Sequence, residues 1–593
     1  MDTKINERLQ LLRRQMKSRG FDAYVIHHSD PHISEYIPDY WKVREWASGF
    51  SGSAGTLVLT EKKAALWTDS RYFLQAEQQL AGTGIELCKQ GLPDTPDIPG
   101  WIKLNLEAGS TVGCNGGIIS VSAARYLSKS LEQLGFKCSF DDDIASTVWL
   151  DRPPLPTAKA YIHAAEFAGI SAGDKLESIR RNLLNINATA CLMCSPDEVC
   201  WTLNLRGSDI QFNPVVLCYA YVDLERAILF VDGRKLDDEI SNFLTSAGVS
   251  TMGYEQVGNF ISNISRHTVL VVDSDKTNYK LYNQIPQTVK IVEKIGIVTE
   301  IKAKKQKPEV EGIHQAMVQD GVALVNFFYW LEEVLGRERL TELTVAKKLL
   351  DFRSKQQHFV SESFETIAGY RDHGAIVHYS ATPESDYTIE QDGFLLIDSG
   401  GQYLNGTTDI TRTVHLGKPN ADEMKHYTLV LKGMISLAKA RFPFGTRGSQ
   451  LDTLAKMALW SNHLTYGHGT GHGVGYFLNV HEGPQQIRPE NHLPIESGMV
   501  MSDEPGIYIS GCYGIRIENL ILCTDDISND FGRFLTFETL TLCPIDTKPI
   551  AVSMLSDDER DWLNHYHATV YEKLSPYLDE EHKTWLKKKT LPL

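Results

Sequence analysis

The first half of the chain repeats itself, and a fold that must be built twice from one plan leaves few architectures open. Arg8-Leu-Gln-Leu-Leu-Arg-Arg14 is echoed by Lys175-Leu-Glu-Ser-Ile-Arg-Arg181 at an offset of 167 residues. The same offset pairs Ala23, Val25, Ile26 and Asp30 with Ala190, Leu192, Met193 and Asp197. Trp67-Thr-Asp-Ser-Arg71 answers Phe230-Val-Asp-Gly-Arg234 at an offset of 163. Each copy runs from an amphipathic helix through an apolar strand, a loop and further strands to Asp-x-Arg and another helix. This alternation predicts an α/β sandwich used twice. Ordered matches at a nearly constant offset favour duplication over chance likeness between two α/β stretches.

Two seams bound the copies. Asp151-Arg-Pro-Pro-Leu-Pro156 is a proline-rich break that neither a helix interior nor a central strand tolerates. Ile301-Lys-Ala-Lys-Lys-Gln-Lys-Pro308 is a short basic run, read as a solvated strand edge at the surface. The chain thus divides into residues 1–152, 153–302 and 303–593. The last part opens on a helix with Pro308 in its first turn and apolar residues at Ile313, Met317, Leu324, Phe327, Leu331 and Val334. A second helix is placed at Ser449, with Ser449-Gln-Leu-Asp452 as its capping box.

Charge decides the partner class. Lysine and arginine number 59 against 75 acidic residues, a net charge of −16, so a nucleic-acid partner is not expected. Apolar runs such as Val325-Asn-Phe-Phe-Tyr-Trp-Leu331 are far shorter than the ~20 residues that cross a bilayer. Charge also interrupts the N-terminal stretch before a signal peptide forms, so neither a membrane nor export is expected. Ten cysteines among 593 residues are too sparse for a disulfide scaffold, and they are expected as reduced thiols of a cytoplasmic protein. Cys191-Leu-Met-Cys194, with Cys200, has no second pair or nearby histidine to complete a zinc site, which favours buried thiols.

The chemistry lies between residues 370 and 520, where acids interrupt apolar strand patterns. Gly393-Phe-Leu-Leu-Ile-Asp398 ends in a carboxylate, and Thr407-Thr-Asp409-Ile-Thr sets another among β-branched residues. Val500-Met-Ser-Asp-Glu504-Pro places a third before a turn, and Ile515-Arg516-Ile-Glu518 a fourth inside a strand. A lone strand acid is commonly salt-bridged or half-exposed. Four of them, with histidines between, are better explained by a shared metal site. Those histidines are His468 and His472 in Tyr466-Gly-His-Gly-Thr-Gly-His-Gly-Val-Gly475 and His481 in Asn479-Val-His-Glu-Gly-Pro484, with His378 upstream. The His468/His472 spacing mimics a zinc-protease helix, but Gly-Thr-Gly opposes a helix and brings no glutamate. A phosphate loop fails too, since no Gly-Lys-Ser/Thr follows. The glycines are read as letting backbone approach a ligand closely.

The order Asp398, Asp409, His472, Glu504, Glu518 resembles that of the five metal ligands in the pita-bread metallopeptidases, which include methionine aminopeptidase, prolidase and aminopeptidase P. Gly467-His-Gly-Thr-Gly-His-Gly-Val-Gly-Tyr-Phe-Leu-Asn-Val-His-Glu-Gly-Pro484 looks specifically like the three-domain cytosolic aminopeptidase P, the Xaa-Pro aminopeptidases. Ser48-Gly-Phe-Ser-Gly-Ser-Ala-Gly-Thr56, Trp67-Thr-Asp-Ser-Arg-Tyr-Phe-Leu74, Asn204-Leu-Arg-Gly-Ser-Asp209 and Trp562-Leu-Asn-His-Tyr-His567 extend the likeness over nearly the whole chain. It implies two creatinase-type α/β domains ahead of a C-terminal pita-bread domain. It also implies two divalent ions, with Mn²⁺ suited to so oxygen-rich a set. Asp398 then binds one ion, His472 and Glu504 the other, and Asp409 and Glu518 bridge both around a water or hydroxide nucleophile.

The resemblance further implies Glu504 as proton shuttle, His378 and His481 as stabilisers of the oxyanion, and His468 beside the proline subsite. Arg516 is a candidate for orienting the ligands and Tyr508 for an apolar wall. The implied substrates are peptides with proline second, and the implied assembly is a homodimer, with the apolar extension around Trp562, Leu563 and Tyr566 serving packing or subunit contact. Two other readings stay open. One is a prolidase, a dipeptidase with the same metals whose chains usually lack the second N-terminal domain. The other is a ligand-binding module that has lost its chemistry, against which all five ligand positions stand filled.

Overall fold

The computed structural model describes residues 3–140 and 143–593. The chain forms two compact units, Met1–His163 with Ile170–Glu300, and Ala164–Gly169 with Ile301–Leu593. Among the described residues, the first unit carries two six-stranded sheets. One holds β1 (Ala23–His27), β2 (Thr56–Thr60), β3 (Ala64–Thr68), β4 (Glu86–Lys89), β5 (Thr111–Cys114) and β6 (Lys137–Ser139). The other holds β7 (Ala190–Met193), β8 (Cys218–Asp223), β9 (Ala227–Val231), β10 (Val249–Gly253), β11 (Val269–Val272) and β12 (Lys290–Glu293).

Their topologies are the same. The order β4-β3-β2-β1-β5-β6 recurs as β10-β9-β8-β7-β11-β12. In each sheet the first strand pairs antiparallel with the second, and the second with the third, while the other pairings are parallel. β1 and β7 start 167 residues apart and β3 and β9 start 163 apart, the two offsets of the sequence repeat. Alternate residues of the first sheet enter different cores: Tyr24, Ile26, Leu57 and Leu59 on one face, Ala23, Val25, Val58 and Trp67 on the other. Apolar burial on both faces is what makes these strands read as continuous apolar runs. Cys191 ends buried in β7 and Cys194 in the turn after it, and both are free thiols.

In the second unit, α1 (Lys307–Val334) has Pro308 in its first turn, and Glu309 accepts from the Gln306 N–H at 2.8 Å. Ile313, Met317, Leu324, Phe327 and Leu331 are buried along it. The helix expected at Ser449 is α3 (Gly448–Trp460), which follows α2 (Ala421–Ala438) and starts one residue earlier. Its cap is Gln450, whose Oε1 accepts from the Arg447 N–H at 2.9 Å, while Asp452 turns inward to Lys456. Gly448 is pressed against β-structure so closely that a Cβ there would lie 1.8 Å from Gln486 O.

Two sheets carry the site. The smaller contains β13 (Ile367–Tyr370), β14 (Phe394–Ser399) and β15 (Ile410–His415) in the order β13-β14-β15. The larger contains β16 (Arg441–Pro443), β17 (Gly471–Gly473), β18 (Glu482–Ile487), β19 (Val500–Asp503), β22 (Asn519–Asn529) and β23 (Gly532–Thr539), ordered β16-β23-β22-β19-β17-β18. The hairpin β20 (Gly506–Ile509) and β21 (Tyr513–Arg516) lies in sequence between β19 and β22. One expectation changes here. The basic run is not a solvated strand edge: residues 297–303 are helical, and Lys302 and Lys305 are buried against Glu482. The C-terminal extension packs within its own unit, with Leu563 and Tyr566 of α4 (Asp557–Leu574) in the main core. No helix among the described residues is long and apolar enough to cross a membrane.

Candidate metal centre

Strand ends deliver the acids. Asp398 lies within β14, opposite Thr411 of β15. The other three stand where ladders stop: Glu504 just after β19, ahead of a turn as the sequence suggested, and, not inside strands as it suggested for them, Asp409 just before β15 and Glu518 in the gap between β21 and β22. Two of their backbones stay paired all the same, Glu504 N–H to Thr470 O at 2.8 Å and Glu518 N–H to Thr411 O at 3.1 Å. A strand end frees the side chain to turn toward a common point without leaving buried amides unpaired.

His472 occupies the middle of β17. The glycines around it serve protein backbone, not a ligand: a Cβ on Gly471 would meet Ser502 O at 1.9 Å, and one on Gly473 would meet Glu482 O at 2.4 Å. Only glycine lets β17 sit this close to its neighbours. The His472 Nδ1–H donates to Gly473 O at 2.9 Å, which directs Nε2 to Asp409 Oδ2 at 3.3 Å and Glu504 Oε1 at 3.6 Å. Asp409, His472 and Glu518 each bring a ligand atom within 4.8 Å of the others. Asp398 Oδ1 is buried with no hydrogen-bond partner. Oxygen-rich, crowded with like charge and holding an orphaned carboxylate oxygen, this donor set fits hard divalent cations.

The crowding shows in the titrating groups. Burial pushes the Glu504 carboxyl up to about 7, with Asp409 and Asp398 adding to the rise against His472 and Arg516. Burial and neighbouring acids also raise Glu518 and Asp398, the latter opposed by Arg516. Burial alone would lower His472, but Asp409 and Glu504 outweigh it and lift the imidazole to about 9.

Around the acids runs a hydrogen-bonded frame. Arg516 donates from Nη2 to Asp398 Oδ2 at 2.5 Å, from Nη1 to Tyr508 Oη at 2.7 Å and from Nε to Thr411 Oγ1 at 3.1 Å. Tyr508, expected as an apolar wall, also joins this frame through its polar end. Its hydroxyl accepts from Arg516 and reaches His468 Nε2 at 2.8 Å, and the His468 Nδ1–H donates to Gly469 O at 2.7 Å. His481 stands edge-on to His472, ring centroids 4.3 Å apart. His378 is half-buried next to Val377, whose carbonyl accepts from Arg516 at 3.4 Å.

Several members of this frame escaped the sequence reading. Thr411 donates to Glu518 Oε2 at 2.7 Å, and Ser502 accepts from the His472 N–H at 2.9 Å and donates to Glu504 Oε1 at 3.1 Å. Arg412 donates to Glu518 O at 2.6 Å and to Tyr566 Oη at 2.8 Å, which ties the C-terminal extension to a site acid. Thr470, whose carbonyl holds Glu504, donates to Asp452, itself paired with buried Lys456. A hydroxyl two residues from two of the acids, in Asp409-Ile-Thr411 and Ser502-Asp-Glu504, was the available signal.

Known proteins match this chain end to end. The profile described as metallopeptidase family M24 matches residues 311–525, and its C-terminal region matches 533–593. Profiles described as creatinase/prolidase N-terminal domain match 8–140 and 151–309. Aminopeptidase P2 of Arabidopsis thaliana is 40% identical over 99% of this chain and 89% of its own length. The probable Xaa-Pro aminopeptidase P of Laccaria bicolor is 41% identical over 99% and 93%. The crystal structure of an X-prolyl aminopeptidase from Caenorhabditis elegans, described as a cytosolic enzyme with a di-nuclear active site, superposes with a TM-score of 0.96 at 35% identity, covering both chains completely. Two creatinase-type α/β domains thus precede a pita-bread domain, and the chain belongs to the aminopeptidase P branch of metallopeptidase family M24, the Xaa-Pro aminopeptidases.

Proposed function

We propose that this aminopeptidase removes the residue preceding proline from peptide N-termini with two divalent ions, Mn²⁺ by the hardness of the donors. The convergence of Asp409, His472 and Glu518 within 4.8 Å carries the reading. Asp398 would hold one ion, His472 and Glu504 the other, and Asp409 and Glu518 both. When bound, such a pair supplies an acidified water and a Lewis acid for the scissile carbonyl. Glu504 takes the proton of the attacking water and passes it to the proline nitrogen as the C–N bond breaks, so the leaving group departs as a secondary amine. His378 and His481 donate to the oxygen on which charge develops. His468 has both ring nitrogens committed, to Gly469 and Tyr508, and therefore offers its ring as a wall of the proline subsite.

The reading includes domains at 1–152, 153–302 and 303–593, supported by the profile matches at 8–140, 151–309 and 311–525. A cytoplasmic homodimer completes it, resting on the family resemblance. The test is a peptide panel with Mn²⁺ supplied. Arg-Pro-Pro should lose its first residue only, and alanine in second place should lower kcat/KM on the order of a hundredfold, because a shaped apolar subsite loses two ring methylenes. Equal cleavage of both peptides returns the chain to a generic metalloaminopeptidase. Cleavage confined to Xaa-Pro dipeptides makes it a prolidase.

Metal loading should also be proton-linked. With His472 near 9 and Glu504 near 7, the metal-free protein at neutral pH carries a proton on His472 and about half a proton on Glu504. Ligands bind metal deprotonated, so loading expels those protons and apparent affinity weakens as pH falls. Calorimetry at pH 7 in buffers of different ionisation enthalpy reads the release directly. Identical heats in all buffers would contradict it.

A further inference from the structure

Next to His481 lies a buried charge cluster that the proposed reaction leaves unused. Glu482 is 4% exposed, and its carboxylate receives two ammonium groups: Lys302 Nζ donates to Oε2 at 2.7 Å and Lys305 Nζ to Oε1. Lys305 Nζ donates as well to Lys302 O at 2.9 Å. Filling such a space with apolar side chains is often as stabilising as burying two ammonium groups around one carboxylate. Stability alone therefore does not account for the cluster.

Its placement does. Lys302 and Lys305 belong to a strap laid on the catalytic sheet: the Lys305 N–H donates to Gly498 O at 2.8 Å, and Lys304 forms a bridge with Met499. Gly498 has φ +90° and a Cβ on it would lie 3.3 Å from Lys305 O, so glycine meets both the backbone conformation and the close approach. Met499 leads directly into β19, which ends one residue before Glu504. Glu482 opens β18 one residue after His481. One strap thus grips the entrances of two strands that flank the site. The His481 ring itself meets His472 edge-on, 78° between planes. His481 is thus joined in the chain to an anchored residue, and its ring lies against a second one.

We propose that Lys302 and Lys305 are positioning residues for His481, gripping Glu482 so that the imidazole stands where charge develops on the substrate oxygen. This rests on the reading of His481 as a stabiliser of that charge. A group that acts mainly in the transition state, displaced by a fraction of an ångström, lowers kcat and leaves KM nearly unchanged.

A double-mutant cycle on the Mn²⁺-loaded full-length enzyme tests it. Lys302→Met leaves a neutral Lys305–Glu482 pair, and it should keep the wild-type metal content and a KM within about twofold while kcat falls about tenfold. In a His481→Ala background the same change should cost less than about twofold, because no imidazole remains to be misplaced. Equal losses in both backgrounds overturn the proposal and leave the His481 assignment standing, as does a loss of metal or a rise confined to KM. A His481→Ala enzyme as fast as wild type overturns both. Should Lys302→Met not accumulate as folded enzyme, Lys305→Met leaves the same neutral pair and is read by the same cycle.

Discussion

Asp409→Asn should abolish turnover and leave a folded chain. Asp409 is 4% exposed and stands just before β15, 3.3 Å from His472 Nε2, among the carboxyl groups of Asp398, Glu504 and Glu518. Asparagine has the same shape, so packing is kept. It removes one negative charge from a residue that would hold both proposed ions, and so would weaken both sites. Changes outside the coordination sphere already cost about 10–100-fold in metal affinity, so loss of a bridging ligand should cost more. kcat on an Xaa-Pro-Pro peptide should fall by about 10³-fold or beyond. The metal-free variant should melt no lower than the metal-free parent, because one member of a mutually repelling cluster has become neutral. Metal analysis, steady-state kinetics and a thermal melt with and without Mn²⁺ separate these effects. Near wild-type turnover with full metal occupancy would sink the five-ligand assignment.

That site was readable in the sequence to an uneven depth, and physical reasons mark the boundary. The duplication was legible because β1 and β7, and β3 and β9, keep the offsets of 167 and 163 residues through two copies of one sheet. The acids were legible because a carboxylate beside apolar strand residues is conspicuous in a linear string. The placement of Glu518 at a strand end was not, since it reads as part of a continuous strand until the ladder is seen to break between Arg516 and Asn519. The basic run misled for a simpler reason. A string of lysines is ordinarily solvated, and what buries Lys302 is a glutamate 180 residues away. The polar role of Tyr508 was hidden because nothing local reveals that its hydroxyl lies between Arg516 and His468. Periodicity and motif order carry what neighbours in sequence decide. Pairings closed by the tertiary fold have no local signature.

Arg516→Met is expected to produce the second large loss, and its form distinguishes a frame residue from a metal ligand. Arg516 is 1% exposed, and its guanidinium spans Asp398, Tyr508 and Thr411, which no lysine can reproduce with a single point charge. Breaking a buried pair by removing one partner costs about 3–5 kcal/mol where the remaining charge has no other compensation. In the metal-loaded enzyme Asp398 would keep a cation, so stability should fall by less than this. The loss should appear in kcat, roughly a hundredfold, as Asp398, Thr411 and the Tyr508–His468 pair lose their common donor. Arg516→Lys should recover only part of it. The sign of the pH effect follows from the same contacts. Burial raises the Asp398 carboxyl and Arg516 opposes the rise, so without the guanidinium it rises further. Protons then compete with metal for Asp398 at higher pH, and the acid limb of kcat/KM should move upward in the methionine variant while the alkaline limb stays in place. A methionine variant with kcat within twofold of wild type and an unmoved acid limb would show that Arg516 holds the fold without ordering the site.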